Sequence, residues 1–237
     1  MIRLLAGPKV KSLKVHTDRE LGRGQFSRVF VGTLQYHGQN PRTVAVKIFK
    51  ASEFQDKDEE EYGNKNAKIA GKFIKMLRRA NIPMIDTRII EHGGLWYQIS
   101  RSVTRGGKST LSIPKVVRPN GKLNLNQAKQ YLSLIARAAS IGLYVPLDSI
   151  HAIGQGPRAR LVFADFDSFR DYRKIPNEAA TKAIEHFERS LSEKTSPRAM
   201  QDLANHMISQ VSNKKVREQM EFLLHLKGIN VGMEKRK

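Results

Sequence analysis

A lysine in the middle of an apolar strand-like segment is the feature that most limits how this chain can fold. Residues 43–49 are rich in β-branched residues and carry Lys47 next to Val44-Ala45-Val46. Such a run predicts a β-strand, and burying an unpaired ammonium group in a strand is costly. The folded chain is therefore expected to give Lys47 an anionic partner or ligand.

Two further predicted strands, residues 15–20 and 29–36, precede this segment and are joined by a glycine-containing turn. The connection reads Gly22-Arg23-Gly24-Gln25-Phe26-Ser27-Arg28-Val29. Glycines between two strands let the backbone approach a phosphate closely, because they have no Cβ. A lone Gly-x-Gly is usually only a tight turn. A strand lysine 18 residues after Val29 makes the signal much more specific.

These residues resemble the protein kinase family, whose pattern is Gly-x-Gly-x-x-Gly-x-Val followed by Val-Ala-x-Lys on the third strand. The chain has Ser27 in place of the third glycine. The resemblance implies that Gly22, Gly24, Ser27 and Val29 cover the phosphates of ATP. It also implies that Lys47 binds the α- and β-phosphates and that Mg²⁺ is the second cofactor. The alternative is a pair of ordinary strands with a stray lysine.

Kinases pair this lysine with a glutamate on the next helix. A helical pattern opens in residues 56–62, and its predicted apolar face contains Tyr62, Ile69, Phe73, Met76 and Leu77. The usual spacing points to Asn66, which is not acidic. Of the three acids at positions 59–61, Glu59 lies closest to the predicted face at 100° per residue. Glu59 is therefore the candidate, and a solvated acidic first turn is the alternative.

Two aspartates flank a second predicted hairpin. Asp148 follows a long predicted helix, residues 125–143, and Asp165 ends the apolar run 161–164, 17 residues later. The resemblance implies that Asp148 is the catalytic base. It implies that Asp165, in Asp165-Phe166-Asp167, is the magnesium ligand of an altered Asp-Phe-Gly motif. The alternative is that one aspartate caps a turn and the other closes a strand.

Several kinase elements are missing. Ile153 stands where the magnesium-binding asparagine is expected, and His151, Gln155 and Asp167 are open alternatives for that role. Only 10 residues separate Asp167 from Glu178, so almost no activation segment is left. These losses are typical of a minimal kinase or of an inactive pseudokinase that binds a nucleotide or a partner.

In its compactness, the chain resembles the minimal effector kinases that bacterial pathogens inject into host cells by type III secretion. One class of these phosphorylates the 90-kDa heat-shock chaperone. The resemblance implies transfer to a protein hydroxyl, of Ser or Thr, with a host chaperone as partner and a role in virulence.

The net charge of the chain does not by itself identify its binding partner. Lys and Arg number 42 against 22 Asp and Glu, which gives a net charge of +20 over 237 residues. This charge attracts nucleic acid, anionic membranes or acidic proteins, so a basic nucleic-acid-binding module is the alternative from another class. The absence of cysteine excludes a disulfide scaffold and a cysteine nucleophile.

No apolar run approaches the roughly 18 residues of a membrane span. We expect a cytoplasmic protein, or one that leaves by a route other than the general secretory pathway.

The predicted fold is α+β, a two-lobed minimal kinase-like fold. Residues 1–100 form a small antiparallel-sheet lobe with one helix, and residues 101–121 form a hinge and loop. Residues 122–237 form a mainly helical lobe with the catalytic hairpin. The adenine is expected at the backbone near residues 100–103.

Overall fold

The computed structural model describes residues 9–23, 27–49, 59–101, 104–105, 108–109, 111–112, 125–154, 159–190 and 195–231. The chain divides into two compact units. The first contains Met1–Ile74 and Ile85–Thr110, and the second contains Lys75–Met84 and Leu111–Lys237.

The first unit is built on an antiparallel sheet. Its strands are β1 (Val10–Arg23), β2 (Ser27–Tyr36), β3 (Arg42–Phe49), β4 (Thr87–His92) and β5 (Leu95–Arg101), in the order β1-β2-β3-β5-β4. The positive φ angles of Gly93 and Gly94, 62° and 81°, form the predicted turn between β4 and β5. β1 is longer than predicted because it pairs along β2 through several register shifts. Two short strands, β6 (Thr104–Arg105) and β7 (Lys108–Ser109), follow.

Helix α1 (Glu59–Arg79) begins in the first unit and covers one face of this sheet. A Cβ added to Gly71 would lie 3.2 Å from the Ile89 side chain, and one added to Gly63 would lie 2.8 Å from the Phe49 carbonyl oxygen. The helix therefore approaches the sheet closely along its small residues. Ile69 and Met76 are only half-buried, although the sequence predicts them on the apolar face. The predicted face residues Phe73 and Leu77 are buried, and the other buried positions are Gly63, Ala67, Ala70 and Ile74.

The other face of the sheet has a core of its own. Leu34, Tyr36, Val44, Val46 and Ile99 are buried there, and Val10, Leu13 and Val15 of β1 pack against them. Apolar residues on both faces explain why the central strands read as nearly continuous apolar runs rather than as a strict alternation.

The second unit is mainly helical. Its helices are α2 (Leu125–Ser140), α3 (Pro176–Ser190), α4 (Pro197–Ser209) and α5 (Lys214–Leu226). The predicted start of α4 is confirmed, because the Ser196 side chain caps the helix by accepting from the Ala199 amide, with Pro197 at the first helical position. The predicted stop after α5 is also confirmed, since Gly228 has a φ of 74°.

Short strands are inserted among these helices. They are β8 (Leu111–Ser112), β9 (Leu143–Tyr144), β10 (Ile150–Ile153), β11 (Arg160–Phe163) and β12 (Arg170–Asp171). β10 pairs with both β8 and β11, and β9 pairs with β12.

The predicted α+β class is confirmed. A five-stranded antiparallel sheet with one helix, followed by a mainly helical unit, is consistent with a two-lobed kinase-like fold. Within the ranges given above, no helix combines the length and the hydropathy needed to cross a membrane.

Candidate functional site

The first glycine of the Gly-x-Gly segment lies near the end of β1, in the β1–β2 hairpin. Gly22 pairs with Val29, and Arg23 pairs with Arg28. Gly24 falls outside the described residues, and Ser27 is the first residue of β2, buried and paired with Phe49. No atom lies within 4 Å of a Cβ added to Gly22. The backbone of this glycine is therefore open to a ligand.

Two arginines face each other across this hairpin and share one carboxylate. The Nε atoms of Arg28 and Arg23 donate to Glu20 at 3.0 and 3.1 Å. The hydrogen bond from Arg28 and then that from Arg23 lower the pKa of the Glu20 carboxyl. Like charges on opposite positions of a ladder repel each other, so Glu20 allows both cations to stand next to the turn.

We expect Gly22→Ala to separate ligand binding from folding. The added methyl group has open space around it, so the melting temperature should stay unchanged. If the Gly22 backbone approaches a phosphate, the methyl group will weaken that charge-assisted contact and raise the Kd for Mg-ATP roughly tenfold or more. Calorimetric titration and a thermal melt on the same samples measure both. An unchanged Kd would remove Gly22 from the site.

Lys47 lies in the centre of the sheet. It pairs with Val29 on β2 and with Gln98 on β5, and it is only 7 % exposed. Because Gln98 pairs in turn with Ile89, all four side chains share the face that α1 covers. The Lys47 ammonium lies 5.3 Å from the centre of the Phe49 ring. The row Gly22, Val29, Lys47 thus crosses three adjacent strands.

The predicted partner of Lys47, Glu59, is the first residue of α1. Its side chain lies outside the described part of the structure. At 100° per residue, position 59 lies about 30° from the centre of the buried face of α1. The assignment of Glu59 stays a prediction.

The β10–β11 hairpin brings Asp148 and Asp165 to the same end. Ile150 pairs with Phe163, and the Ala164 amide donates to the Ser149 carbonyl at 2.9 Å. This bond extends the ladder by one residue, so the two aspartates occupy the next positions on the two chains. Asp148 is exposed and lies in a 3₁₀ turn, Leu147–Ser149. The carboxylate of Asp148 is therefore accessible from solvent.

Aromatic burial fixes the segment that carries Asp165 and Asp167. Phe166, between them, is fully buried, and its ring centre lies 5.7 Å from that of Phe169. Phe169 in turn makes an edge contact with Phe163 at 5.5 Å. Both carboxyl side chains are half-buried, on either side of an inward-facing ring.

Ile153 cannot replace the missing asparagine. It lies within β10, paired with Arg160, about 10 Å along the hairpin from Ile150. His151 is also a strand residue, and Gln155 lies outside the described residues. Of the three candidates for the role of the missing asparagine, Asp167 lies nearest to Asp165 along the chain.

The carboxylates of Asp165 and Asp167 are suitable ligands for magnesium. Mg²⁺ prefers oxygen ligands and is commonly held by one or two carboxylates together with substrate phosphates and water. The described residues contain no group of three or more His, Cys, Asp or Glu side chains that could hold a metal unaided. Phosphate oxygens and water would complete the coordination.

Sequence reasoning missed a buried polar pair in the second unit. Tyr131 of α2 and His186 of α3 are both buried, and the Tyr131 hydroxyl lies 2.7 Å from His186 Nδ1. Burial lowers the pKa of His186 to about 4, and burial raises the pKa of Tyr131. The available signal was the helical spacing of His186 with Ala179 and Ala183, which places it on the buried face of α3.

Comparison with known proteins adds little to this geometry. No family model matches the chain, and no curated protein matches its sequence. Among solved structures, it is similar to a chain of "WaaP in complex with acyl carrier protein", with 11 % sequence identity and a TM-score of 0.47. The match covers 91 % of this chain and 84 % of that chain. A likeness this distant supports no assignment, so the functional case depends on the residues themselves.

Proposed function

We propose that the protein is an ATP-dependent protein kinase. The observation that carries the proposal is the row of Gly22, Val29 and Lys47 across three adjacent strands. An open glycine backbone and a lysine held by a rigid sheet are the two groups that bind nucleotide phosphates in kinases. Within the second unit, Asp148 and Asp165 lie at one end of a hairpin.

Each residue has a distinct role in this reaction. Lys47 holds the α- and β-phosphate oxygens, and Gly22, Gly24, Ser27 and Val29 cover the phosphates. Asp165 holds magnesium, which neutralises charge on the β- and γ-phosphates when bound.

The transfer itself is a single displacement. Asp148 accepts the proton of the substrate hydroxyl while its oxygen bonds to the γ-phosphorus. The bond from that phosphorus to the bridging oxygen then breaks, and ADP leaves.

The acceptor we propose is a Ser or Thr hydroxyl of a protein. The resemblance to minimal effector kinases supports a host protein, such as the 90-kDa heat-shock chaperone, reached by type III secretion. The shortness of the chain between Asp167 and α3 is in keeping with this class, because it leaves little segment for phosphorylation to order. Incubation of the purified chaperone with the protein and labelled ATP tests this acceptor against a generic protein substrate.

Transfer of label from γ-labelled ATP, with magnesium, tests the kinase assignment. We expect label on a protein substrate or on the protein itself. Lys47→Met should lower the rate about 10- to 100-fold, because it removes a charged hydrogen-bond donor to the phosphates. The matched control is Lys65→Met, which changes an exposed lysine of α1 in the same unit.

Other outcomes would overturn the assignment. Magnesium-dependent ATP binding without any transfer would identify a pseudokinase. Salt-sensitive binding to a random oligonucleotide, without nucleotide binding, would favour the nucleic-acid module. Equal rates for the two lysine variants would exclude Lys47 from the reaction.

A further inference from the structure

Every exposed side chain on the described part of α1 is basic. Side chains are described from Gly63 to Arg79, and this span contains no aspartate or glutamate. Alternating charges are typical of a helix face that is only solvated, because opposite charges at i and i+4 stabilise a helix. A helix face with cations alone therefore indicates an anionic partner. Its exposed residues are Lys65, Lys68, Lys72, Lys75, Arg78 and Arg79.

Four of these residues form a narrow stripe along the helix, which we call the basic stripe. It consists of Lys68, Lys72, Lys75 and Arg79. At 100° per residue, these positions fall within an arc of about 60° and extend over about 17 Å. The spacing makes like-charge neighbours of Lys68 with Lys72 and of Lys75 with Arg79. Such pairs destabilise a helix, so folding by itself does not explain the stripe.

The turn between β4 and β5 is held beside the basic stripe. The Asn64 side chain accepts from the Trp96 amide at 3.1 Å and donates to the Gly94 carbonyl at 3.5 Å. The ammonium group of Lys68, one helical turn after Asn64, lies 5.4 Å from the centre of the Trp96 ring. The hairpin tip and the stripe are therefore in direct contact.

The tip of this hairpin presents apolar groups. Leu95 is 38 % exposed, and Trp96 is half-buried. Residues 91–96 contain one carboxylate, that of Glu91, which pairs with Trp96 across the two strands. An exposed leucine, an indole and the cations of the stripe thus lie next to each other.

An anionic membrane surface matches this combination better than a nucleic acid does. Lysine and arginine are attracted to anionic headgroups, and tryptophan is enriched at the membrane–water interface, where its ring can be partly apolar and partly wet. Lysine stems lie along apolar surface while their ammonium groups stay in water. A nucleic-acid backbone offers phosphates to the stripe but no apolar layer to Leu95.

We propose that the basic stripe and the tip residues Leu95 and Trp96 form a docking surface for a membrane that contains anionic phospholipids. The stripe lies on the headgroups, and the tip enters the interface beside it. The surface includes none of the residues assigned to phosphate transfer. The inference therefore does not depend on the proposed kinase function.

Trp96 is the only tryptophan of the chain, so tryptophan fluorescence reports on this surface alone. The probe is a vesicle of phosphatidylcholine and phosphatidylserine in equal parts, and vesicles of pure phosphatidylcholine are the comparison. With the mixed vesicles, we expect the emission to shift to shorter wavelength and brominated acyl chains to quench it. Emission that is neither shifted nor quenched, or an equal response to both vesicles, would overturn the proposal.

Removal of three cations measures the contribution of the stripe. The variant with Lys68→Gln, Lys75→Gln and Arg79→Gln should bind the mixed vesicles about 100-fold more weakly, because each cation near an anionic bilayer contributes about fivefold. A control with the same net charge should stay within about threefold of the wild type. Equal losses in the two variants would show an effect of net charge only and refute the docking surface. The control changes exposed residues of β1, by Lys11→Gln, Lys14→Gln and Arg19→Gln.

Leu95→Ser tests the apolar tip. The change shortens an exposed side chain, so the melting temperature should stay close to that of the wild type. The affinity for the mixed vesicles should fall about fivefold or more, because the apolar side chain no longer enters the interface. Wild-type vesicle affinity in Leu95→Ser contradicts the proposal, and this variant decides if the stripe variant does not fold.

Two competitors identify other anionic partners. A random oligonucleotide that displaces the mixed vesicles, and binds Leu95→Ser as tightly as the wild type, would assign the stripe to nucleic acid instead. Displacement by free phosphoserine would show a site for a soluble anion and not for a bilayer. We expect neither, because neither competitor offers an apolar layer to the tip.

Discussion

Asp148→Asn is expected to lower the rate of phosphate transfer by ~10²–10⁴-fold, the range typical of losing a general base. Asparagine has nearly the same shape as aspartate but cannot accept the proton of the attacking hydroxyl. Asp148 is exposed, so the change should not affect folding. The Kd for Mg-ATP should also stay unchanged, because the proposed role of Asp148 is to bind the acceptor hydroxyl and not the nucleotide.

Single-turnover transfer and calorimetric titration with Mg-ATP measure the two quantities. Asp202→Asn is the matched control, since Asp202 is an exposed aspartate on α4 in the same unit. A transfer rate at the wild-type level in Asp148→Asn, with a large loss in Asp167→Asn, would show that the catalytic loop is wrongly placed.

Asp165→Ala is expected to remove transfer and magnesium-dependent ATP binding together. A bound metal contributes several kcal/mol of charge stabilisation in the transition state, so the rate should fall by about 10³-fold or more. The affinity for ATP without magnesium should be the same as that of the wild type. Titration with ATP in the presence and absence of magnesium separates the two contributions.

Asp167→Asn tells whether the second half-buried carboxylate shares the metal. If Asp167 takes the role of the missing asparagine, this variant should show a partial loss of both transfer and magnesium dependence. Neither substitution touches the aromatic contacts of Phe166, which should therefore be retained in both variants. Full magnesium dependence in Asp165→Ala would contradict our choice of metal ligand.

Much of the first unit could be predicted because its signals are local. β-branched runs and the Gly93-Gly94 turn act over a few residues, and the structure has strands and a turn at these places. The start of α4 at Ser196 and the stop at Gly228 are equally local. The burial pattern of α1 was less well predicted. The predicted face was chosen from the spacing of large apolar side chains, whereas the helix approaches the sheet through Gly63 and Gly71.

The sequence by itself thus determined the strand with Lys47, the hairpin with Gly22 before it and the two aspartates around a second hairpin. The tertiary structure decided the register that brings Asp148 and Asp165 to one end of β10–β11, and the pairing of β9 with β12. Strands of two residues have too few residues for a periodic pattern, and only partners distant in sequence stabilise them. The same reason applies to His186, because its hydrogen bond with Tyr131 joins two helices that no local pattern connects.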